Sequence, residues 1–420
     1  MSGMIGVLRM PREVRFGFGA RAAVPGLVAQ FGPRVFVVAD PFLATTPEFT
    51  LMIDAIRASG AAVAVHTDVP PELPADAVHQ AADSARLFAP DVVIGYGGGS
   101  ALDSAKLVSL LVAHGGVLPD YYGENVVPGP VIPMVAIPTT AGTGSEVTPV
   151  AVVSDPDREL KVGVSSPYLI PAIAIVDPEL TLGAPPSVSA FAGIDAFVHA
   201  VESFTAADLS PRHEPVMPVF VGRNALAETL ALEAAARIYH ALPAVLEDPQ
   251  DRDARADMAL GSLLAGMAFG ASGTHLSHAI QYPIGAMTHT PHGLGTGTLV
   301  PYVMQATLSV VPERLAAIGK AIGASSDGDE NARAQSAVDS IADLCRRIGL
   351  PVALRELGVS ESDVEHIVDL TMQVKRLVSI TPFPASRAIV SQIVAAAIAG
   401  DRSRLVGEAW MNLLESAGKS

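Results

Sequence analysis

Two kinds of apolar patterning divide this chain. In its first part, short runs of β-branched residues alternate with segments of helical spacing, the pattern of buried parallel strands joined by helices. Residues 12–19, Arg-Glu-Val-Arg-Phe-Gly-Phe-Gly, alternate apolar and polar positions and end on glycines, which predicts a strand and turn followed by a helix from Ala20 to about Phe31. Arg34-Val-Phe-Val-Val-Ala-Asp40 and Ala61–His66 predict further strands, and Asp76–Phe88 a helix. Asp91-Val-Val-Ile-Gly-Tyr runs a strand into Gly97-Gly98-Gly99-Ser100, with a helix opening near Ala101. Pro133–Pro138 adds a strand, and Val150–Ser154 reads as one arm of a hairpin turning at Asp155-Pro-Asp-Arg. After Pro185-Pro186 long helical patterns take over, at 225–242, 253–269, 311–322, 331–348, 361–374 and 387–399. The change of pattern predicts an α/β domain over 1–184 and an all-α domain over 185–420.

Composition narrows the function. At 420 residues with 50% hydrophobic positions, the chain has material for two cores. Lys and Arg number 27 against 43 Asp and Glu, a net charge of −16, which argues against a nucleic-acid or anionic-membrane surface. Every apolar run is broken by Gly, Pro or a charge before it reaches membrane-spanning length, so no transmembrane helix is expected. Met1–Met10 lacks an export-signal pattern, which makes the cytoplasm the expected location. Cys345 is the sole cysteine; it excludes an intramolecular disulfide and an all-thiolate metal cluster, and predicts an inert core thiol.

The candidate chemistry falls in two groups. Strand, glycine run and helix start make an anion cradle at Gly97, Gly98, Gly99 and Ser100, because a backbone without Cβ atoms lets a pyrophosphate approach the first amides of the helix. The loop Thr139-Thr140-Ala-Gly-Thr143-Gly-Ser145 is dense in hydroxyls between two apolar strands and suits a phosphate-sugar groove. Asp40, at the end of a predicted strand, reads either as an acceptor for an adenosine ribose or as a turn former before Pro41. Lys161 reads either as a cation near the ribose or as an exposed lysine.

In the second part, Ala192-Gly-Ile-Asp195-Ala-Phe-Val-His199-Ala-Val-Glu202 puts Asp195 and His199 on one helical face in apolar surroundings. Two later imidazoles, His278 in Leu276-Ser-His-Ala-Ile-Gln-Tyr282-Pro and His292 in Thr290-Pro-His-Gly, complete a set of one carboxylate and three imidazoles. Such donors suit Fe(II) or Zn(II) rather than magnesium or calcium. His275 and His289 read as capping or outer-shell histidines.

Taken together, Gly97-Gly-Gly-Ser-x-x-Asp103, Thr139–Glu146, Asp195-x3-His199 and His278-x13-His292-Gly resemble the iron-containing (group III) alcohol dehydrogenase family over nearly the whole chain. The resemblance implies a Rossmann-like dinucleotide-binding N-terminal domain and an all-helical C-terminal metal domain. It also implies that Asp195, His199, His278 and His292 ligate the metal. The cofactor residues would be Asp40, Gly97, Gly98, Gly99, Ser100, Asp103, Thr139, Thr140, Thr143, Ser145 and Lys161, with Asp40 favouring NAD. Two departures stand out. Tyr282 occupies a place where many members carry a second histidine, which makes Tyr282 and His289 the candidate proton relays, and Glu72 stands where the family often has Asn. The implied activity is hydride transfer between NAD(H) and a small alcohol or aldehyde by a homo-oligomer. A hydroxyacid-oxoacid transhydrogenase with retained cofactor is the nearest alternative, and a dehydroquinate synthase-like lyase a remote one.

Overall fold

The computed structural model describes residues 6–210 and 214–418. The first five residues, half of the segment on which the absence of an export signal was read, lie outside the described residues. The chain divides into two units: one spans Arg9–Ala184, and the other joins Met1–Leu8 to Pro185–Ser420. No helix among the described residues is long and apolar enough to cross a membrane.

The Arg9–Ala184 unit contains nine strands: β1 (Glu13–Phe16), β2 (Arg34–Ala39), β3 (Ala62–His66), β4 (Val92–Gly97), β5 (Gly123–Glu124), β6 (Met134–Pro138), β7 (Val150–Val153), β8 (Val162–Ser165) and β9 (Ile173–Val176). Its helices are α1 (Val24–Val28), α2 (Pro47–Ala58), α3 (Ala75–Phe88) and α4 (Gly99–His114). Six strands form a sheet in the order β1-β9-β6-β4-β2-β3, every pair parallel. A three-stranded sheet, β5-β8-β7, contains the expected hairpin as the antiparallel pair β7 and β8.

The continuous apolar runs of β2, β4 and β6 are explained by burial on both faces. Along β2, Val35 and Val37 pack with α1 and α2, while Phe36 and Val38 pack with α3 and α4, the period-two alternation of a strand between two layers. The predicted helix from Ala20 to Phe31 is instead a 3-10 turn at Ala20–Ala23 followed by the short α1. Pro25 lacks the N–H needed to continue one helix through this point, and it serves as a first-turn residue of the next. Helix α2 has no counterpart among the expectations; Thr46 caps it, its hydroxyl accepting from the Phe49 N–H, with Pro47 at its start.

The other unit is helical. Its elements are α5 (Pro186–Thr205), α6 (Glu228–Glu247), α7 (Arg252–Ser272), α8 (Leu276–Thr288), α9 (His292–Leu308), α10 (Pro312–Ile322), α11 (Glu330–Arg347), α12 (Val364–Thr371), α13 (Lys375–Ser379), α14 (Arg387–Ala399) and α15 (Glu408–Ala417). The helix expected over 361–374 is a 3-10 turn, Glu361–Asp363, leading into the shorter α12. Cys345 is buried, its thiol pushed up to about 12 by that burial, in keeping with an inert core position.

Candidate metal centre and cofactor cradle

In the α/β unit the strand order reverses between β2 and β4: from β2 the chain moves outward to β3, and from β4 outward the other way to β6. In an open α/β sheet, the carboxyl ends at such a reversal are where ligands bind. Asp40 follows β2 and Gly97 ends β4 at this place, with Gly98 and Gly99 leading into α4, and the Asp40 N–H donates to the Tyr96 carbonyl at 3.0 Å. Gly97 has φ +149, and a Cβ there would come within 2.8 Å of the Ala101 Cβ and 3.1 Å of the Asp40 Cβ. Only glycine lets strand, turn and helix meet so closely. Helix α4 starts at Gly99 with Ser100 in its first turn, with no side-chain cap and no acidic residue in that turn.

The hydroxyl loop lies against this cradle. The Thr139 N–H donates to the Gly97 carbonyl at 3.0 Å, while its buried hydroxyl oxygen has no hydrogen-bond partner. Thr140 and Thr143 flank Gly98 and Gly99. Several of the predicted cofactor residues have other partners. Asp40 Oδ1 accepts the N–H groups of Phe42 and Leu43, at 2.9 and 3.1 Å, and so also serves as the turn former. Asp103, expected beside a pyrophosphate, accepts instead from the Ser145 hydroxyl at 2.6 Å and the Val152 N–H at 2.9 Å. Each of its oxygens and the Ser145 hydroxyl thereby has a partner within the protein, and an ionised carboxylate there would repel a phosphate. Lys161 pairs with Glu72.

In the helical unit, Asp195, His199 and Glu202 share one face of α5 by their spacing. Helix α8 presents His278 and helix α9 starts at His292. Glycine permits α9 to come close: a Cβ on Gly293 would overlap the Phe191 carbonyl of α5, and one on Gly295 would overlap the Gln281 amide of α8. Three imidazole nitrogens therefore converge on one carboxylate. His199 Nε2 lies 3.7 Å from Asp195 Oδ2, and His278 Nε2 and His292 Nε2 lie 3.7 and 3.6 Å from Oδ1.

These separations are too long for hydrogen bonds. They are close to the roughly 3.4 Å edge of a tetrahedron with metal–donor distances near 2.1 Å. Ligand atoms of Asp195, His278 and His292 all lie within 4.8 Å of one another. His278 Nε2 is buried without a hydrogen-bond partner, a costly state for a polar atom unless an ion accepts its lone pair. Burial works to raise the Asp195 pKa, but the three imidazoles and the Thr296 hydroxyl, 2.9 Å from Oδ1, outweigh it and hold the carboxyl below its ordinary value. Burial pushes His199 down to about 4. An ionised carboxylate beside a neutral imidazole is the protonation state that binds a divalent ion.

Glu202 is the functional residue that the sequence reading passed over. It is fully buried and accepts from the His275 N–H at 2.7 Å, the Ser277 N–H at 2.6 Å and His278 Nδ1 at 2.7 Å. It thus caps α8 from a neighbouring helix and fixes the tautomer that turns the His278 Nε2 lone pair toward Asp195. Despite its burial, the neighbouring histidines and these hydrogen bonds hold its pKa far below the usual carboxylate range. A carboxylate seven residues after Asp195 in an apolar helix was the available signal. His275 sits behind it, its Nε2 2.9 Å from the Thr205 hydroxyl.

Tyr282 lies one turn beyond His278, its ring centroid 6.0 Å from that of His292. His289 is exposed and ends α8 with φ +55, a left-handed terminating position.

Comparison with known proteins matches both units. A profile described as iron-containing alcohol dehydrogenase matches residues 11–178, and one for the C-terminal part of the Fe-containing alcohol dehydrogenase family matches residues 189–398. Long-chain-alcohol dehydrogenase 1 of Geobacillus thermodenitrificans is 36% identical over 389 residues, 91% of this chain and 94% of the relative. NAD-dependent methanol dehydrogenase of Bacillus methanolicus is 34% identical over 359 residues, 85% of this chain and 90% of the relative. The crystal structure of a 1,3-propanediol oxidoreductase superposes with a TM-score of 0.87 at 28% identity, covering 94% of this chain and 100% of that one. With both units matched and sequence identity sustained across most of its length, the chain belongs to the iron-containing alcohol dehydrogenase family and is an oxidoreductase.

Proposed function

We propose that the protein moves hydride between NAD(H) and a small alcohol or aldehyde, using a divalent ion held by Asp195, His199, His278 and His292. The observation that carries the metal part is the convergence of three imidazole nitrogens on one ionised carboxylate, with His278 Nε2 otherwise unpartnered. The donor set suits Fe(II) first and Zn(II) second. Held there, such an ion would supply Lewis-acid polarisation of the substrate oxygen, and a dinucleotide at the cradle would supply the hydride chemistry.

The chain's own residues do the rest. Glu202 and Thr296 hold His278 and Asp195 in their ligating orientations. Gly97–Gly99 and the first turn of α4 receive the pyrophosphate, with Ser100, Thr139, Thr140 and Thr143 beside it. Asp40 at the end of β2 accepts from the adenosine ribose and disfavours a 2′-phosphate, which selects NAD over NADP. The NAD-dependent relative supports the same cofactor. Tyr282, next to His292, passes the substrate hydroxyl proton outward, and His289 is the second candidate for that path. The same reading makes the protein a cytoplasmic homo-oligomer.

The test is NADH absorbance with metal-analysed protein against short aldehydes, hydroxy acids and semialdehydes, each repeated with NADPH and with no added cofactor. Metal-dependent oxidation of NADH by an aldehyde is the expected result. Oxo-acid-dependent turnover of a hydroxy acid without added cofactor would replace this reading with the transhydrogenase. Tyr282→Phe is expected to slow turnover and alter its pH profile; an unchanged profile removes Tyr282 from the proton path, and His289→Ala then tests the other candidate.

A further inference from the structure

Helix α4 carries two ionisable side chains that the proposed reaction does not use. Asp103 and Lys106 lie about one turn apart on the helix whose start forms the cradle. Asp103 holds the Ser145 hydroxyl at 2.6 Å and the Val152 N–H at 2.9 Å. Lys106, 1% exposed, donates from Nζ to the Thr148 carbonyl at 2.9 Å, the Thr148 hydroxyl at 3.2 Å and the Val150 carbonyl at 2.8 Å. An ammonium has three N–H donors, and all three are spent, so Lys106 is closed to any ligand. Burial pushes Lys106 down to about 8 and the neighbouring Glu146 up to about 7, with the Asp103 and Glu146 charges opposing the shift at Lys106.

A buried ammonium is an expensive way to fasten two segments, since apolar packing would do so at lower cost. What the polar contacts add is direction: they hold the backbone from Ser145 to Val152 at fixed distances from α4. The loop just before this stretch lies in van der Waals range of the cradle. A Cβ on Gly99 would fall 2.8 Å from Thr143 Cγ2, and one on Gly98 would fall 3.5 Å from Thr140 Oγ1.

We propose that Asp103 and Lys106 are positioning residues that fasten the 139–148 loop to α4, so that Thr139, Thr140 and Thr143 stand beside Gly97–Gly99 before the cofactor arrives. The proposal rests on the reading that this end of the sheet holds a dinucleotide. It makes α4 serve twice, its first turn receiving phosphate and its second holding the loop beside it.

The experiment compares the metal-loaded wild type with Lys106→Met, Asp103→Asn and the milder Thr148→Val, which removes only one acceptor. NADH affinity is measured by fluorescence and amide exchange of residues 140–152 by mass spectrometry without cofactor. Lys106→Met is expected to raise the NADH Kd by about tenfold or more, the scale of lost preorganisation, with smaller rises for the other two. Amides of 140–152 exchange faster in the same order, and metal content is unchanged. Faster exchange with an unaltered Kd would overturn the proposal, as would unaltered exchange. If the wild type itself fails to bind NADH or NADPH, the cofactor reading fails separately, and amide exchange alone decides whether the loop is fastened.

Discussion

The cradle and the ligand cluster are built on opposite plans. At the carboxyl edge of the sheet Asp40, Asp103, Ser145, Lys106 and Lys161 have partners within the protein, while Thr139 Oγ1 has no hydrogen-bond partner. In the helical unit, His278 Nε2 is buried with no hydrogen-bond partner, and three ring nitrogens crowd one carboxylate. The first site is complete as protein and offers a ligand backbone amides and a shape. On the proposed function a cation completes the second, which would link its stability and its chemistry to that ion by mass action.

The sharpest way to break this comparison is Asp195→Ala. Without the carboxylate the three imidazoles lose the charge that gathers an ion. Metal content is expected to fall toward zero and aldehyde reduction to drop by about a thousandfold or more, several kcal/mol of lost electrophilic assistance. NADH affinity should hold, and an equal loss there would show that the two sites are not separately built. Glu202→Gln is next. An amide presents one acceptor and one donor group where the carboxylate serves three donors, so one N–H at the start of α8 loses its partner. Metal affinity, measured by competition with a chromophoric chelator, is expected to fall about 10–100-fold.

Gly293→Ala probes the packing that brings His292 and Thr296 to Asp195. Its Cβ would overlap the Phe191 carbonyl, so α9 must shift, at about 1–3 kcal/mol measured by denaturant unfolding, together with weaker metal binding. An alanine there without either effect would mean that the close approach is dispensable. On the cradle side the effect depends on pH. Glu146 is buried and its folded-state pKa is raised to about 7 from 4.5, so the native state keeps a proton that the unfolded chain releases. That group's contribution to stability is present below about pH 4.5 and is lost as pH rises through 7. Glu146→Gln should therefore match the wild type near pH 4.5 and become progressively more stable than it toward pH 8, by thermal or urea unfolding. A constant difference across that range would place the ionisation elsewhere.

Local signals were readable wherever the physics is local. The β-branched runs marked β2, β4 and β6 because strands buried on both faces need apolar residues at every position. Gly97–Gly99 marked the turn because close backbone approach excludes a Cβ. The four-residue spacing of Asp195 and His199 placed them on one helical face. Other features were not readable. Helix α2 mixes polar residues into a short amphipathic stretch, and Pro25 divided a pattern that spacing alone joined. Asp103 looked like a cofactor contact because it sits just after the glycines, whereas its partners at Ser145 and Val152 come from a later strand and loop.

By itself, then, the order of residues determined the alternation of strands and helices, the change to helix after Pro185-Pro186 and the family to which the chain belongs, because periodicity, glycine and motif spacing act over a few neighbours. Tertiary structure alone decided how the candidate ligands are held. Glu202 reaches His278 across 76 positions and Thr296 reaches Asp195 across 101. Contacts of that range depend on how whole helices pack, and a buried carboxylate acquires its role only from the donors that packing places around it.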